Sequence, residues 1–263
     1  MFAEINNIKL WYENIGSGIP LVFIHGLGET ADSWRHQVEH FQGSYRTITM
    51  DLRGHGRSTY DDKEVITIAL FARDVITLLD QLGISKAIFI GHSMGGLICQ
   101  EIAIHYAEHM VAMVLSDSAG FYPAPFSTEG LKERLTYLET ASMEDMAELV
   151  AQKCCSPDVI PAVRQEVKDL FMHNQKEPYR QATVATFKAD FRQYHQQMTM
   201  PALLLVGEYD QTTPLSYAEY LHMALPSSHI VVIPMAGHMS KVENPSDYNQ
   251  ALKGFFRLTS SLF

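Results

Sequence analysis

Ser93 sits in the pentapeptide Gly91-His92-Ser93-Met94-Gly95, between the apolar run Lys86-Ala87-Ile88-Phe89-Ile90 and a helix-like run from Gly96 to Tyr106. A serine on so tight a strand-to-helix turn is held in a strained backbone conformation that lifts its hydroxyl clear of the sheet. Glycines on both sides let strand and helix approach. A hydroxyl is a poor nucleophile until a base takes its proton, so the turn predicts a base and an acid elsewhere in the chain. Leu203-Leu204-Leu205-Val206-Gly207 reads as a strand and leads to Glu208-Tyr209-Asp210. Ile230-Val231-Val232-Ile233 reads as another and leads to Ala236-Gly237-His238. His238 is the expected base. Asp210 is the expected acid, which fixes the imidazole tautomer and stabilises the imidazolium. Asp117, after the strand-like Met113-Val114-Leu115-Ser116, is a rival acid that reads better as a structural acceptor at its turn. His92 reads as a residue that shapes the elbow.

Attack on a carbonyl builds negative charge on oxygen, so donors for that oxygen are needed as well. The N–H of Met94, next after the nucleophile, is one expected donor. The other is the N–H of Leu27, in His25-Gly26-Leu27-Gly28 after the buried run Leu21-Val22-Phe23-Ile24. Each such donor supplies about 3 kcal/mol of transition-state stabilisation.

The elements that must position these groups follow from the pattern. Residues 2–14 predict two antiparallel strands around Asn6-Asn7. Residues 20–25 predict a strand, and Asp32 a helix cap for a run to about Phe41. Arg46 to Met50 predicts a strand, and Ile66 to Leu82 an amphipathic helix ended by Gly83. The strand before Ser93, the helix after it and strand 111–116 follow. Beyond residue 200 come a strand, helix 214–224, a strand and helix 245–258, the last opened by Asn244-Pro245. Strands alternating with helices predict an α/β fold with a mostly parallel sheet covered on both faces. Residues 121–197 break the rhythm, with helices near 128–140, 143–154, 158–173 and 178–190.

Composition narrows the partners. A chain of 263 residues with 46% hydrophobic and 19% charged residues fits a globular enzyme of one large domain, or one domain with an insertion. A net charge of −10 argues against nucleic acid and anionic membranes as partners. No apolar run is long enough to span a bilayer. Three cysteines, Cys99, Cys154 and Cys155, show no metal-ligand spacing, so no metal and no cofactor is expected, and a reducing cytoplasmic setting is.

The chain resembles the α/β hydrolases of the esterase and lactonase branch. The resemblance rests on His25-Gly26-Leu27-Gly28, Asp51-Leu52-Arg53-Gly54-His55-Gly56-Arg57-Ser58, Gly91-His92-Ser93-Met94-Gly95-Gly96, Gly207-Glu208-Tyr209-Asp210 and Gly237-His238, in family order. It implies an eight-stranded, mostly parallel sheet, with residues 1–120 and 198–263 as the core domain and 121–197 as a helical cap. It implies hydrolysis of a small-molecule carboxylic ester or lactone through an acyl-enzyme. Carbon–carbon bond hydrolysis, perhydrolysis or a menaquinone-type elimination on the same triad is the alternative. A slow-turnover ligand receptor or signalling protein is an alternative of another class. Met143, Met146, Leu149, Phe171, Met172, Phe187 and Phe191 are candidates for the pocket roof or for packing within the cap. Within that branch the chain resembles 3-oxoadipate enol-lactonases in plan. Where an arginine and a large aromatic are expected in the second cap helix, it carries Lys153-Cys154-Cys155. Lys153, Cys154 and Met146 are therefore the expected substrate-binding residues of the cap.

Overall fold

The computed structural model describes residues 1–262. Strands β1 (Phe2–Ile5) and β2 (Ile8–Ile15) pair antiparallel across Asn6 and Asn7. Both asparagines are left-handed (φ 41° and 63°), a conformation asparagine tolerates. Then follow β3 (Pro20–Ile24), α1 (Arg35–Phe41), β4 (Arg46–Met50), α2 (Ile68–Gln81), β5 (Ala87–His92), α3 (Met94–His105) and β6 (Met110–Ser116). Four helices come next: α4 (Leu131–Thr140), α5 (Met143–Cys154), α6 (Pro161–Phe171) and α7 (Lys176–Lys188). The chain ends with β7 (Ala202–Gly207), α8 (Leu215–Ala224), β8 (Ser228–Ile233), α9 (Ser240–Glu243) and α10 (Pro245–Thr259).

The eight strands form one sheet in the order β1-β2-β4-β3-β5-β6-β7-β8, antiparallel at β1-β2-β4 and parallel beyond. Alternation along each strand splits its side chains between two cores. Val22 and Ile24 face Phe71, Val75 and Leu97 from α2 and α3. Leu21 and Phe23 face Val38, Leu252 and Phe256 from α1 and α10. The helices between β6 and β7 build a third apolar core, with Leu138, Val150, Val167 and Tyr179, which Met239 and Val242 from after β8 complete. No helix among the described residues is long and apolar enough to cross a membrane.

Two local features differ from expectation. Asp32 does not cap a helix; it lies inside a 3₁₀ turn, Ala31–Trp34, and pairs with Arg57 at 3.0 Å. The Ala31 N–H at the start of this turn donates to Asp51 Oδ1 at 2.8 Å. The short α9 after His238 was also not expected, being only four residues long.

The strand order fixes where chemistry can occur. From β3 the chain steps outward to β4, then crosses back to lay β5 on the other side of β3. At such a switch point the loops leaving two adjacent parallel strands part, and a crevice opens at the carboxyl edge. The loop after β3 carries Gly26 and Leu27, and the turn after β5 carries Ser93.

Candidate active site

Ser93 takes φ 50° and ψ −114°, a conformation that costs on the order of 1–3 kcal/mol for a residue with a side chain. Packing enforces it. A Cβ on Gly91 would run into the Gly95 carbonyl, and one on Gly95 into the Ile24 carbonyl. Only glycine at both places lets α3 leave β5 so abruptly. The Asp51–Ser58 segment is a brace beside this turn: Asp51 accepts from the Arg57 N–H and Nε at 2.8 and 2.7 Å.

His238 and Asp210 meet at this edge of the sheet, with His238 Nδ1 2.8 Å from Asp210 Oδ2. Asp210 also accepts from the N–H groups of Thr212 and Thr213 at 2.7 and 2.9 Å and from the Thr213 hydroxyl at 2.8 Å. Burial pushes the Asp210 carboxyl up, but the His238 ring and these donors outweigh it and hold it down to about 2. Burial pulls the His238 ring down, yet the Asp210 carboxylate, its hydrogen bond and Asp117 keep it above its ordinary 6.5. Among the described residues, all hydrogen bonds of the His238 ring are made at Nδ1. Nε2 is left toward the cavity that His238 lines together with Ser93. The Ser93–His238 hydrogen bond is not closed here; such contacts often tighten only with substrate.

A base must be neutral to take a proton, so activity should rise with pH through the His238 titration. Because the ring is held high, the inflection in kcat/KM should lie above pH 6.5. Asp210→Asn should move it down. A wild-type inflection at or below about pH 6 in a steady-state profile would contradict this electrostatic picture.

Asp117 is placed otherwise. Its carboxylate accepts from the Gly207 N–H at 2.8 Å and from the hydroxyls of Ser116 and Ser240. Burial, then the nearby Asp210 charge, pushes it up to about 7. It joins three elements and does not reach His238 Nδ1. His92 does more than shape the elbow, since its ring bonds to Glu29 on one side and to the His238 carbonyl on the other.

Ser93, His238 and Leu27 line one cavity of about 50 Å³. The N–H groups of Leu27 and Met94 make no hydrogen bond among the described residues. The helices α4–α7 roof this cavity with Val150, Cys154, Phe171 and Phe187. Phe126, Arg134, Val150, Cys154 and Phe187 also border an outer groove of about 630 Å³, so the two spaces adjoin.

The expected cap residues divide. Cys154 lines the inner cavity, and burial pushes its thiol up to about 12, so it is an unreactive wall. Lys153 lines only the outer groove. One residue along a helix turns the side chain by about 100°, which separates the two. Met146 does not line the cavity; it is wholly buried in the core of the four helices. It shares a helix face with Val150 and Cys154, but eight residues before Cys154 amount to about 12 Å along the axis. Leu149 lies on the outer groove, Met143 and Met172 pack among the four helices, and Phe191 belongs to the sheet's core.

The end of α5 is fastened to the loop that carries His238. His238 N–H donates to the Cys154 carbonyl at 2.7 Å. Glu243 accepts from the Ser156 N–H at 2.7 Å and from the Gly237 N–H at 3.0 Å.

Several residues of the site were not expected from sequence. Thr213 was signalled only by its place three residues after Asp210, a spacing at which a carboxylate bonds back to the turn. Tyr122 stands beside Ser93 on the cavity wall. Arg134, from α4, enters the cavity with no signal at all, in a run of polar residues. Its Nη2 donates to the Tyr179 hydroxyl at 2.7 Å and lies 4.0 Å from Met146 Sδ, and its Nε is buried without a partner among the described residues.

A family model described as alpha/beta hydrolase fold matches residues 19–138, and one described as TAP-like protein matches residues 180–260. The chain is 28% identical over 240 residues to 3-oxoadipate enol-lactonase 2 of Acinetobacter baylyi, spanning 90% of this chain and 88% of that protein. Among solved structures, the enol-lactonase from Burkholderia xenovorans superposes with a TM-score of 0.91 at 27% identity, covering 98% of this chain and all of that one (100%). A thermophilic esterase from Thermogutta terrifontis gives 0.89 at 26% identity, covering 96% and 94%. The chain has the α/β-hydrolase fold.

Proposed function

We propose that this α/β hydrolase cleaves carboxylic esters or lactones of small molecules through an acyl-enzyme. The observation that carries the reading is Ser93, strained at the end of β5, sharing one small cavity with a His238 held by Asp210. Ser93 attacks the carbonyl while His238 Nε2 takes its proton. The oxyanion is held by the N–H groups of Leu27 and Met94. His238 then protonates the leaving oxygen, and in the second half it activates water to release the acid. Asp210, kept ionised by four donors, stabilises the imidazolium in both halves. The helices α4–α7 act as the cap, and residues 121–197 are the cap domain on the core. Activity screening against esters and lactones, wild type beside Ser93→Ala, tests the reading; turnover below about one per minute on every substrate would favour a receptor instead.

Arg134 refines the substrate. A guanidinium at the neck between cavity and groove, with a bare buried Nε, is suited to a carboxylate on the substrate. It supplies from α4 the cation that Lys153 fails to bring to the cavity. An ester of a dicarboxylic acid should be preferred to the neutral ester of equal length. Arg134→Met should lower kcat/KM for the anionic ester by about 10–100-fold, since a hydrogen bond to a charged group is worth roughly 1.5–3 kcal/mol. The neutral ester should be hardly affected. Equal losses on both esters would place Arg134 in the cap's structure and not in recognition.

A further inference from the structure

The histidines near the elbow carry protons that can be counted from their hydrogen bonds. His25 Nδ1 lies 2.8 Å from the Gly26 carbonyl, to which it can only donate. Its Nε2 receives the Leu52 N–H at 2.9 Å, so that nitrogen is bare. His25 holds one proton and is neutral. The same count on His92 gives a different result. Nε2 lies 2.7 Å from the His238 carbonyl, which can only accept, so Nε2 carries a proton. Nδ1 lies 2.6 Å from Glu29 Oε1. A bare nitrogen facing a carboxylate at that distance would set lone pair against lone pair, so a second proton must lie between them.

We infer that Glu29 and His92 form a second proton-sharing pair, neutral as a unit, which positions the catalytic base by holding the His238 backbone carbonyl. The inference rests on the reading of His238 as the base. Burial surrounds the pair, with side chains at most 2% exposed. Lys241 Nζ lies 2.8 Å from Glu29 Oε2 and over the Trp34 ring, 4.9 Å from its centre. Burial pushes Glu29 up, but His92 and Lys241 outweigh it and hold the carboxyl well below its ordinary range. Burial pushes the His92 ring down to about 4 against the pull of Glu29, which argues against a free imidazolium but not against a proton shared between the two. The other charged groups facing the pair are Asp117, 3.9 Å from His92 Nε2, and His238, whose ring centre is 5.0 Å away. With the proton retained on the Nδ1 side, His92 keeps Nε2–H as a donor, and the hydrogen bond to the base's own backbone cannot reverse. His92, Glu29 and Lys241 are positioning residues; none of them is asked to exchange a proton with substrate.

Proton and nitrogen NMR of the wild-type protein tests this, with two variants to assign the signals. Two strongly downfield imidazole protons are expected, one removed by Asp210→Asn and the other by Glu29→Gln. The His92 nitrogens should both report a proton, bound or shared, unchanged between about pH 5 and 9 while His238 titrates. A bare His92 nitrogen at neutral pH overturns the inference. In kinetics, His92→Phe removes the donor to the His238 carbonyl and should lower kcat by about 10–100-fold with KM within about twofold. Glu29→Gln replaces the shared proton by an ordinary amide N–H donated to Nδ1, so its downfield proton should vanish. Unchanged kcat in His92→Phe also overturns the positioning role. Undiminished activity in Ser93→Ala would instead remove the catalytic reading and leave the proton count standing.

Discussion

Ser93→Ala should reduce kcat on any ester by at least about three orders of magnitude, with the protein still folded. Removal of the serine from a serine-hydrolase triad costs up to about 10⁶ elsewhere, and the remainder comes from binding and the oxyanion donors. Folding should survive because the turn is held by the Ser93 backbone and not by its hydroxyl. The Ser93 backbone N–H bonds to Ser116 at 2.9 Å, and its carbonyl receives the Ser118 hydroxyl at 2.8 Å, both independent of the side chain. KM should change little, since a lost nucleophile removes an interaction made in the transition state. A serine-directed phosphonate should label wild type at one residue and the variant not at all. Near-normal turnover in the variant would end the serine-hydrolase reading.

Asp210→Asn should cost about 10⁴ in kcat, because an amide facing His238 Nδ1 favours the tautomer with its proton on the wrong nitrogen. Asp117→Asn is the informative comparison. Asp117 is pushed up to about 7 by burial and by Asp210, so near neutrality it is already partly protonated, and an amide imitates that state. Its backbone is left-handed at φ 45°, which asparagine accepts readily. The expected loss is mainly in stability, on the order of 1–3 kcal/mol if one of its three donors loses its acceptor. Steady-state kinetics on both variants, with a denaturant midpoint for each, separates the roles. A larger kcat loss for Asp117→Asn than for Asp210→Asn would move the acid to position 117.

The places of Ser93, Asp210 and His238 are legible in the sequence because each follows directly on an apolar strand. A strand of a parallel sheet is a local signal, and its carboxyl end fixes a loop in space. Leu27 follows Ile24 for the same reason. The cap is legible only as far as its helices. Which face of α4 meets the cavity depends on how α4, α5 and α7 pack together, and Arg134 stands beside Lys132 and Glu133 with nothing local to distinguish it. The confusion of Lys153 with Cys154 is a matter of one helical step. Glu29 and Lys241 are 212 residues apart, and their 2.8 Å contact is decided by the way the loops after β3 and β8 converge.

The two hydrogen bonds that join the end of α5 to the His238 loop, His238 N–H to the Cys154 carbonyl and Ser156 N–H to Glu243, have a consequence for exchange of parts among enzymes of this plan. A foreign cap spliced in at its two natural ends would arrive without the carbonyl at Cys154 and the N–H at Ser156 in place, unless its second helix stopped at the same residue. The base would then lose a support that lies in the transplanted piece. The safe unit for recombination is therefore the cap together with residues 236–243, and the seam belongs after Glu243, even though sequence continuity alone would put it at residue 197.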